Sequence, residues 1–445
     1  MDLLEVVSAA VAEGKRAGAE EVEAFAVTGT ALQIEVRHGQ VETLEQAQET
    51  GLGVRVLKGK RFGFAFGTDF SPQGVKETVE RAVAACQLAA PDPYNLLPAP
   101  STAYTSPELY DARLAETPVE EKIALARFME EAAFSFDPRV KIVETSTYQE
   151  ELSEVALANS LGVSGSYRGT VCGLYLSLAA EADGQSETGY ALKYSRFLRE
   201  LDPRALGEEA ARRAVGLLGA RGVKTASVPV VFDPYVAVDF VSLLAPALTA
   251  EAVQRGRSLF AGKLGEEVAT SKVTLLDDGR LPGGIRTAPF DGEGVPTQRT
   301  VLIERGVLKQ YLYDTRTAAR EGKASTGNAV RGSFRGQPTV GPTNFYLEPG
   351  GQSPEEIIRQ VPEGFYLTEV LGMHTANPIS GDFSVGAVGF WIKDGELAFP
   401  VRGVTVAGNI KSLLQRVDAV GSDLRFFGGR GAPTFRVSEL KVSGH

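Results

Sequence analysis

The sequence predicts an α+β fold, in which two units of helix, antiparallel strands and helix precede a mainly β C-terminal domain. Within residues 1–98, apolar residues at helical spacing flank a series of alternating, strand-like runs, and residues 110–222 repeat this layout. Residues 225–445 contain one long helical pattern, after which almost all of the chain from residue 260 onward has the alternation of β-strands. These three ranges are the predicted domains, and the repeated layout predicts an internal duplication.

The first unit has a predicted helix at each end. Apolar residues fall on one face of residues 3–17, and Gly18 follows as a helix stop. The second helix begins at Ser71-Pro72, because serine is a preferred N-cap and proline is preferred at the first helical position. Between the helices, alternating residues predict strands at 22–28, 31–37, 41–49, 52–57 and 60–67.

The second unit repeats these signals. Residues 117–120 have the pattern of a capping box with a proline at the first helical position, and Asp202-Pro203 starts the closing helix. Gly53 and Gly162, each followed by valine, fall at similar places in the two units and support the predicted duplication. The predicted strands of this unit are 139–148, 151–159, 163–181 and 188–199.

The third domain opens with an alternating strand and a helix capped by Asp233-Pro234. Pro246 lies in the middle of the helical pattern, where a proline kinks or ends a helix at a cost of ~3 kcal/mol. Further on, Asp394-Gly395 predicts a type I′ hairpin, which needs positive φ at both residues. The strand before that turn, residues 383–391, places alternate residues on one buried face.

Composition and charge limit the function. The 445 residues are 43% hydrophobic and 23% charged, which is ordinary for a globular protein. No apolar run approaches the ~20 residues of a membrane span, the start lacks signal-peptide order, and Cys86 and Cys172 make no disulfide framework. We therefore expect a cytoplasmic protein. Its net charge of −10 argues against nucleic acid and anionic membranes as partners.

Three histidines restrict the available chemistry: His38 in a hairpin, His445 at the end, and His374 in a polar, glycine-rich loop. A zinc peptidase normally has two histidines on one helix face, and no such pair occurs here. His374 could bind loop backbone, contact a peptide or partner, or ligate a metal with Asp382 and Asp291. A hydrolase that combines His374 with a serine and an aspartate also remains open, although no nucleophile-elbow motif is present.

Two polar loops are candidate surfaces for a peptide or a partner. The first, residues 289–299, either caps turns or forms the polar wall of a groove that pairs a peptide in β fashion. The second, residues 372–384, leads into a buried strand, where binding sites are often built. The candidate residues are Asp291, Thr297, Gln298, Arg299, His374, Asn377, Asp382 and Ser384.

Several motifs resemble the TldD/TldE (PmbA) family, specifically over about residues 225–445 and more loosely before them. They are SLFAGKLGEE, GVPTQRTVLIERGVLKQYLYD, TGNAVRG, TNFYLEPG and NPISGDFSVGAVGFWIKDGELAFPVRGVTVAGN. TldD-type members are zinc metallopeptidases that act with a TldE partner on unfolded or flexible peptides. The family also carries the older label modulator of DNA gyrase. The net negative charge of this chain does not support DNA binding.

The resemblance implies a TldE-like subunit without an active centre. In the active subunit, a helix with two histidines and an acid, together with a C-terminal cysteine, binds the zinc. Counted back from Ser258, the histidine positions are Val241 and Pro246, and the base position is Ser242. The segment GSDLRFFGGRGAPTFRV contains no cysteine. The resemblance thus implies that this chain holds no metal and no catalytic residue, and that zinc is expected only in a TldD-type partner.

The resemblance implies a heterodimer with that TldD-type partner and flexible peptides as substrates. Two alternatives remain open. One is a homodimeric peptide-binding or scaffold protein without a catalytic partner. The other is a metal-independent hydrolase that uses His374.

Overall fold

Helices and strands are interspersed along the whole chain, and the computed structural model describes residues 2–444 of it. The predicted α+β class is therefore confirmed. His445 lies outside the described residues. Within the described range, no helix has both the length and the apolar character needed to cross a membrane.

Six antiparallel strands from both N-terminal units form one sheet. They are β1 (Glu21–Arg37), β2 (Gln40–Lys58), β3 (Arg61–Gly67), β4 (Val140–Asn159), β5 (Ser164–Ala182) and β6 (Gln185–Ser195). Their order is β3-β2-β1-β4-β5-β6, so the two units meet where β1 pairs with β4. The two units thus share a continuous hydrogen-bonded sheet.

Several strands are longer than the sequence pattern predicts. Residues 22–28 and 31–37 belong to one strand, as do residues 41–49 and 52–57, and β4 likewise joins two predicted strands. The β1–β2 register continues through Gly29 without a break. The ladder is made by backbone groups, so a change in side-chain alternation does not end a strand.

Five helices cover this sheet or connect its units: α1 (Leu3–Arg16), α2 (Pro72–Leu88), α3 (Ala112–Glu116), α4 (Val119–Phe136) and α5 (Pro203–Leu217). The predicted caps Ser71 and Asp202 accept backbone N–H bonds at 3.1 and 3.0 Å. The predicted capping box at residues 117–120 is wrong. Pro118 is the N-cap and has no side chain to accept a bond, while the Thr117 hydroxyl donates back to α3.

The last strand and the last helix of each unit make matching contacts. A Cβ on Gly63 of β3 would lie 2.0 Å from a backbone oxygen of α2, and a Cβ on Gly189 of β6 would lie 2.4 Å from one of α5. In both units a glycine therefore lets the helix backbone approach the strand. The predicted match of Gly53 with Gly162 is wrong, because Gly53 lies inside β2 and Gly162 lies in the β4–β5 turn.

The C-terminal region is strand-rich, as predicted. One sheet has the order β16-β15-β14-β7-β20-β17 and closes through an additional β16–β20 pairing, and a second has the order β10-β9-β8-β13-β19-β18. The strands are β7 (Ala226–Phe232), β8 (Leu275–Asp278), β9 (Arg299–Glu304), β10 (Val307–Leu308), β11 (Ala329–Val330), β12 (Thr339–Val340), β13 (Phe345–Leu347), β14 (Glu363–Leu371), β15 (Asp382–Lys393), β16 (Glu396–Asn409), β17 (Val417–Val420), β18 (Arg425–Phe427), β19 (Arg430–Ala432) and β20 (Phe435–Ser443).

The helices of this region are short: α6 (Pro234–Leu244), α7 (Ala250–Gln254), α8 (Thr315–Arg320), α9 (Pro354–Arg359) and α10 (Ile410–Leu414). Two predictions need correction. Residues 260–298 contain little strand, because turns interrupt the pattern everywhere except at β8. Pro246 does not lie within a helix, because α6 ends at Leu244 and the proline opens a separate 3-10 turn.

The β15–β16 hairpin has the predicted turn. Asp394 and Gly395 have φ values of 54° and 78°, as a type I′ turn requires. Phe383, Val385 and Trp391 of β15 are buried on one face, which confirms the predicted alternation. This face packs toward α6 through an edge-on contact between Phe383 and Phe240, with ring centroids 5.0 Å apart.

Candidate functional site

The helix α6 occupies the place at which the family resemblance puts a zinc-binding helix. Asp233 begins it by accepting the Tyr235 N–H at 3.0 Å, and Pro234 supplies the first helical residue. Asp233 is itself fixed by the Tyr366 hydroxyl at 2.7 Å and by Arg213 at 3.3 Å. The start of α6 is therefore anchored to the second unit and to β14 at once.

The residues at the three positions that the resemblance aligns with the zinc helix do not form a metal-binding group. Val241 is buried and faces an apolar void of about 20 Å³ that Leu275 and Phe435 also line. Ser242 is half-buried, whereas Pro246 is exposed beyond the end of α6. Valine and proline carry no side-chain atom that donates to a cation. Nowhere in residues 2–444 do three or more His, Cys, Asp or Glu side chains gather so that they could hold a metal ion.

The first polar loop is largely buried. Asp291 is 8% exposed and its carboxylate accepts the N–H groups of Glu293, Val295 and Ala329 at 2.9–3.0 Å. Burial, together with the charge of Glu293, raises the pKa of Asp291 to about 8. Thr297 is also buried. Asp291 binds backbone of its own loop and of β11, and the Thr297 hydroxyl donates to the Ala288 carbonyl, so neither side chain lines an open groove.

Gln298 and Arg299 are the exposed members of that loop. The Gln298 side chain donates to the Ser325 carbonyl at 3.3 Å, and Arg299 contacts Glu348 at 3.4 Å. These are loose surface contacts, which contribute little to stability. Gln298 and Arg299 thus remain accessible to a partner or a peptide.

The second polar loop is exposed and internally hydrogen-bonded. Asn377 accepts two backbone N–H groups, and Asp382 accepts from Asn409 at 2.8 Å. That bond, with a second from Ser380, lowers the pKa of Asp382. Ser384 is exposed on β15. The loop therefore brings Asn377 and Asp382 together with Asn409, which the sequence did not single out.

His374 stands apart from those groups. It lies exposed in the 3-10 turn Met373–Thr375, and its ring makes no hydrogen bond or ion pair within residues 2–444. A catalytic triad needs the histidine bonded to both a nucleophile and an acid. The described residues give His374 neither contact.

Asp239, on the partly exposed side of α6, is a candidate that sequence reasoning missed. Burial raises its pKa to about 6, and no neighbouring charge or hydrogen bond contributes to that shift. An aspartate in a helix whose other residues are mostly apolar was the available signal. An unpaired carboxylate at this place is costly to keep charged.

Changing Asp239→Asn is expected to stabilise the protein at neutral pH by about 1–2 kcal/mol, after allowance for its partial exposure. A raised carboxyl pKa means that the folded state binds the proton more tightly. Protonated Asp239 therefore makes its full contribution to stability below 3.8, the pKa of the unfolded state. This contribution is lost as the pH rises through about 6, the pKa of the folded state. Urea titrations across that range should show a steeper decline of stability in the wild type than in the variant, in which other buried carboxyls with raised pKa, such as Asp277, still contribute. Glu121→Gln, exposed on α4, is the control and should leave the decline unchanged.

A buried ion network joins the N-terminal sheet to the C-terminal domain. It consists of Glu23, Arg55, Glu293 and Arg331. Arg55 contacts Glu23 at 2.7 Å and Glu293 at 3.0 Å, while Arg331 binds the other oxygen of Glu23. Burial would lower the pKa of Arg55, but the two carboxylates hold it above its usual value. Two charges of each sign therefore balance in the interior.

Comparison with known proteins shows family similarity along almost the entire chain. The PmbA/TldA metallopeptidase C-terminal domain matches residues 225–444, the central domain matches 112–218, and domain 1 matches 22–86. The chain is 31% identical to the "Metalloprotease PmbA" of Escherichia coli, over 99% of this chain and 96% of that protein.

Solved structures are similar over the same extent. TldE from Thermococcus kodakarensis has 26% identity and a TM-score of 0.92, with 99% of this chain and 100% of that chain covered. A Thermotoga maritima protein, described as a candidate modulator of a DNA gyrase, has 29% identity and a TM-score of 0.92 with the same coverage.

Proposed function

Because this chain belongs to the PmbA/TldD metallopeptidase family, we propose that it is a non-catalytic, TldE-like subunit. In this role it forms a heterodimer with a TldD-type chain that carries the zinc, and the complex cleaves flexible peptides. The observation that supports the proposal most strongly is the state of α6. The helix keeps its cap and its packing, yet Val241 and Pro246 stand at the positions of the expected histidines.

Zinc chemistry does not fit the residues at this helix. A catalytic zinc needs three nitrogen, sulfur or carboxylate ligands and an open position for water. The Ser242 hydroxyl is the only polar side-chain group at the three positions, and Val241 faces the apolar core. Without the metal no zinc-bound water is activated, so no zinc-dependent hydrolytic step can be assigned to α6.

The retained architecture supports a role in assembly. The closed sheet and the extended N-terminal sheet are complete although the metal-binding residues are missing. A fold kept intact without its active centre is useful when it completes the substrate chamber of a related chain, and such pairs adopt pseudo-twofold symmetry. The exposed candidates Gln298, Arg299, His374, Asn377 and Ser384 are available for partner or peptide contacts.

Mixing experiments test this function directly. The isolated chain should not cleave an unfolded casein substrate, a TldD-type chain alone should be weakly active or inactive, and the mixture should cleave the substrate and elute as a heterodimer. As a control, the mixture should lose its activity on zinc chelation. Cleavage by the isolated chain would overturn the proposal and favour a hydrolase. A tight homodimer that ignores the TldD-type chain would favour the scaffold alternative.

A further inference from the structure

A cleft beside the start of β5 has no assigned role. It has a volume of about 640 Å³. Its walls are the connecting segment 104–110, the β5 residues 164–168 and the loop 289–294. We refer to these three segments together as the β5 cleft. No residue of α6 lines it, so it is separate from the degenerate zinc helix.

One edge of β5 is free where it borders this cleft. β5 pairs with β4 along almost its full length, beginning with Ser164 opposite Ala158. On its other side, β6 pairs only from Cys172 onward. Residues 164–171 therefore have a neighbouring strand on one side alone. An unpaired strand edge is a template for another chain.

The direction of the backbone groups follows from one hydrogen bond. The Thr170 N–H donates to the Leu109 carbonyl at 2.9 Å, away from β4. In an antiparallel strand the N–H and C=O of one residue point to the same side, and that side alternates along the chain. The backbone groups of Ser164, Ser166 and Arg168 must therefore also point away from β4. Across residues 2–444, none of them has a backbone hydrogen-bond partner on that side.

The walls of the cleft are aromatic. Phe290 lies edge-on to Tyr167 at 5.3 Å and to Tyr104 at 6.3 Å between ring centroids. The Tyr104 hydroxyl donates to the Gly294 carbonyl at 2.9 Å, which ties the connecting segment to the loop 289–294. Such surfaces suit a large apolar side chain that is presented by an extended backbone.

The rim carries both charge signs. The Arg168 guanidinium stacks on the Tyr110 ring at 4.1 Å and donates to its hydroxyl at 2.8 Å. Glu154 lies opposite Arg168 in the β4–β5 register. A rim of mixed sign beside unpaired N–H and C=O groups matches the alternating donors and acceptors of a peptide backbone better than a polyanion.

We propose that the β5 cleft binds an extended peptide segment, which adds as a strand to residues 164–168 and places an aromatic or large aliphatic side chain against Phe290 and Tyr167. Backbone hydrogen bonds supply affinity without regard to sequence, while the aromatic wall selects for one apolar residue. The choice of a peptide as ligand rests on the proposed function. The docking itself rests on the free strand edge.

Binding of a fluorescein-labelled peptide, Thr-Ser-Thr-Phe-Thr-Ser-Thr, to the isolated full-length chain tests this proposal by fluorescence anisotropy. Ser166→Pro removes the outward N–H and obstructs pairing, yet it spares the β4 ladder, since proline is tolerated where an edge N–H faces outward. We expect the affinity of Ser166→Pro for the peptide to fall at least about tenfold, because one or two hydrogen bonds are lost. Ser166→Ala, which keeps the backbone, is the matched control and should bind like the wild type.

A second comparison needs no protein variant. The same peptide with N-methyl groups on every residue has no backbone N–H on either edge, so it cannot donate to a strand edge and should bind at least about tenfold more weakly to the wild type. Equal binding of methylated and unmethylated peptides, or no binding of either, would overturn the proposal. The comparison of the two peptides uses the wild type, so it remains decisive if Ser166→Pro fails to fold. Recovery of peptidase activity on mixing with a TldD-type chain is a separate readout, so either proposal can fail without the other.

Discussion

Replacing Glu23→Leu is expected to lower the free energy of unfolding by about 3–5 kcal/mol, because it leaves buried positive charge without compensation. Glu23 is 1% exposed and contacts both Arg55 and Arg331 of the buried ion network. After the change, Glu293 alone would face two guanidinium groups. Among the described residues, the Nε atom of Arg55 already lacks a hydrogen-bond partner, so the network has no spare acceptor.

Denaturant unfolding of the two proteins measures this effect. The matched control is Glu80→Ala, which breaks an exposed pair with Lys76 at 3.9 Å and should change stability by less than about 1 kcal/mol. Because the network joins the N-terminal sheet to the loop of Glu293, the variant should also separate unfolding of the two regions. A loss below about 1 kcal/mol for Glu23→Leu would show that the network contributes no more than a surface pair.

Replacing Phe232→Ala is expected to cost about 3–5 kcal/mol as well, for a different reason. The Phe232 ring is fully buried at the end of β7, stacked on Phe435 at 4.4 Å and edge-on to Phe240 of α6 at 5.1 Å. Its removal leaves a cavity beneath α6 that fixed neighbouring strands cannot close. These ring contacts pack α6 against the closed sheet.

Thermal and urea unfolding measure the loss, with Phe128→Ala on α4 as the control. Phe128 is 46% exposed, and its removal should change stability by about 0.5 kcal/mol or less. Added zinc should not restore the stability of Phe232→Ala, since ligand binding stabilises only when the folded state holds a site. A variant as stable as the control would show that packing under α6 does not hold the helix in place.

The sequence predicts the fold wherever the signal is local. Ser71, Asp202 and Asp233 cap helices as expected, since each cap depends on a few neighbouring residues. Strand ends are harder to predict, because they depend on the partner strand. Residues 28–31 continue β1 since β2 and β4 lie on both sides of it. Thr117 was misassigned because Pro118 takes the cap position instead.

The candidate site is less predictable because its contacts are distant in the sequence. Glu23 and Glu293 meet through Arg55, and no local pattern links these three positions. Asp291 resembles a surface turn residue in sequence, yet it is buried where its loop folds against β11. The free edge of β5 is likewise invisible in sequence, because it exists only where β6 stops short of its neighbour.

The helix α6 is held in place by its cap and by aromatic packing. Asp233 still caps it, and Phe240 still packs between Phe232 and Phe383. These contacts are independent of whether positions 241 and 246 carry ligands. The proposed function therefore requires only that the packing around α6 is kept, and it does not require ligands at positions 241 and 246.

The zinc content of the isolated chain tests the central claim most directly. After incubation with excess zinc and exhaustive dialysis, elemental analysis should find far less than one zinc per chain, because Val241 and Pro246 offer no donor atoms. A TldD-type chain treated identically should retain one zinc. One tightly held zinc per molecule of this chain, lost on mutation near residues 241–246, would contradict the account.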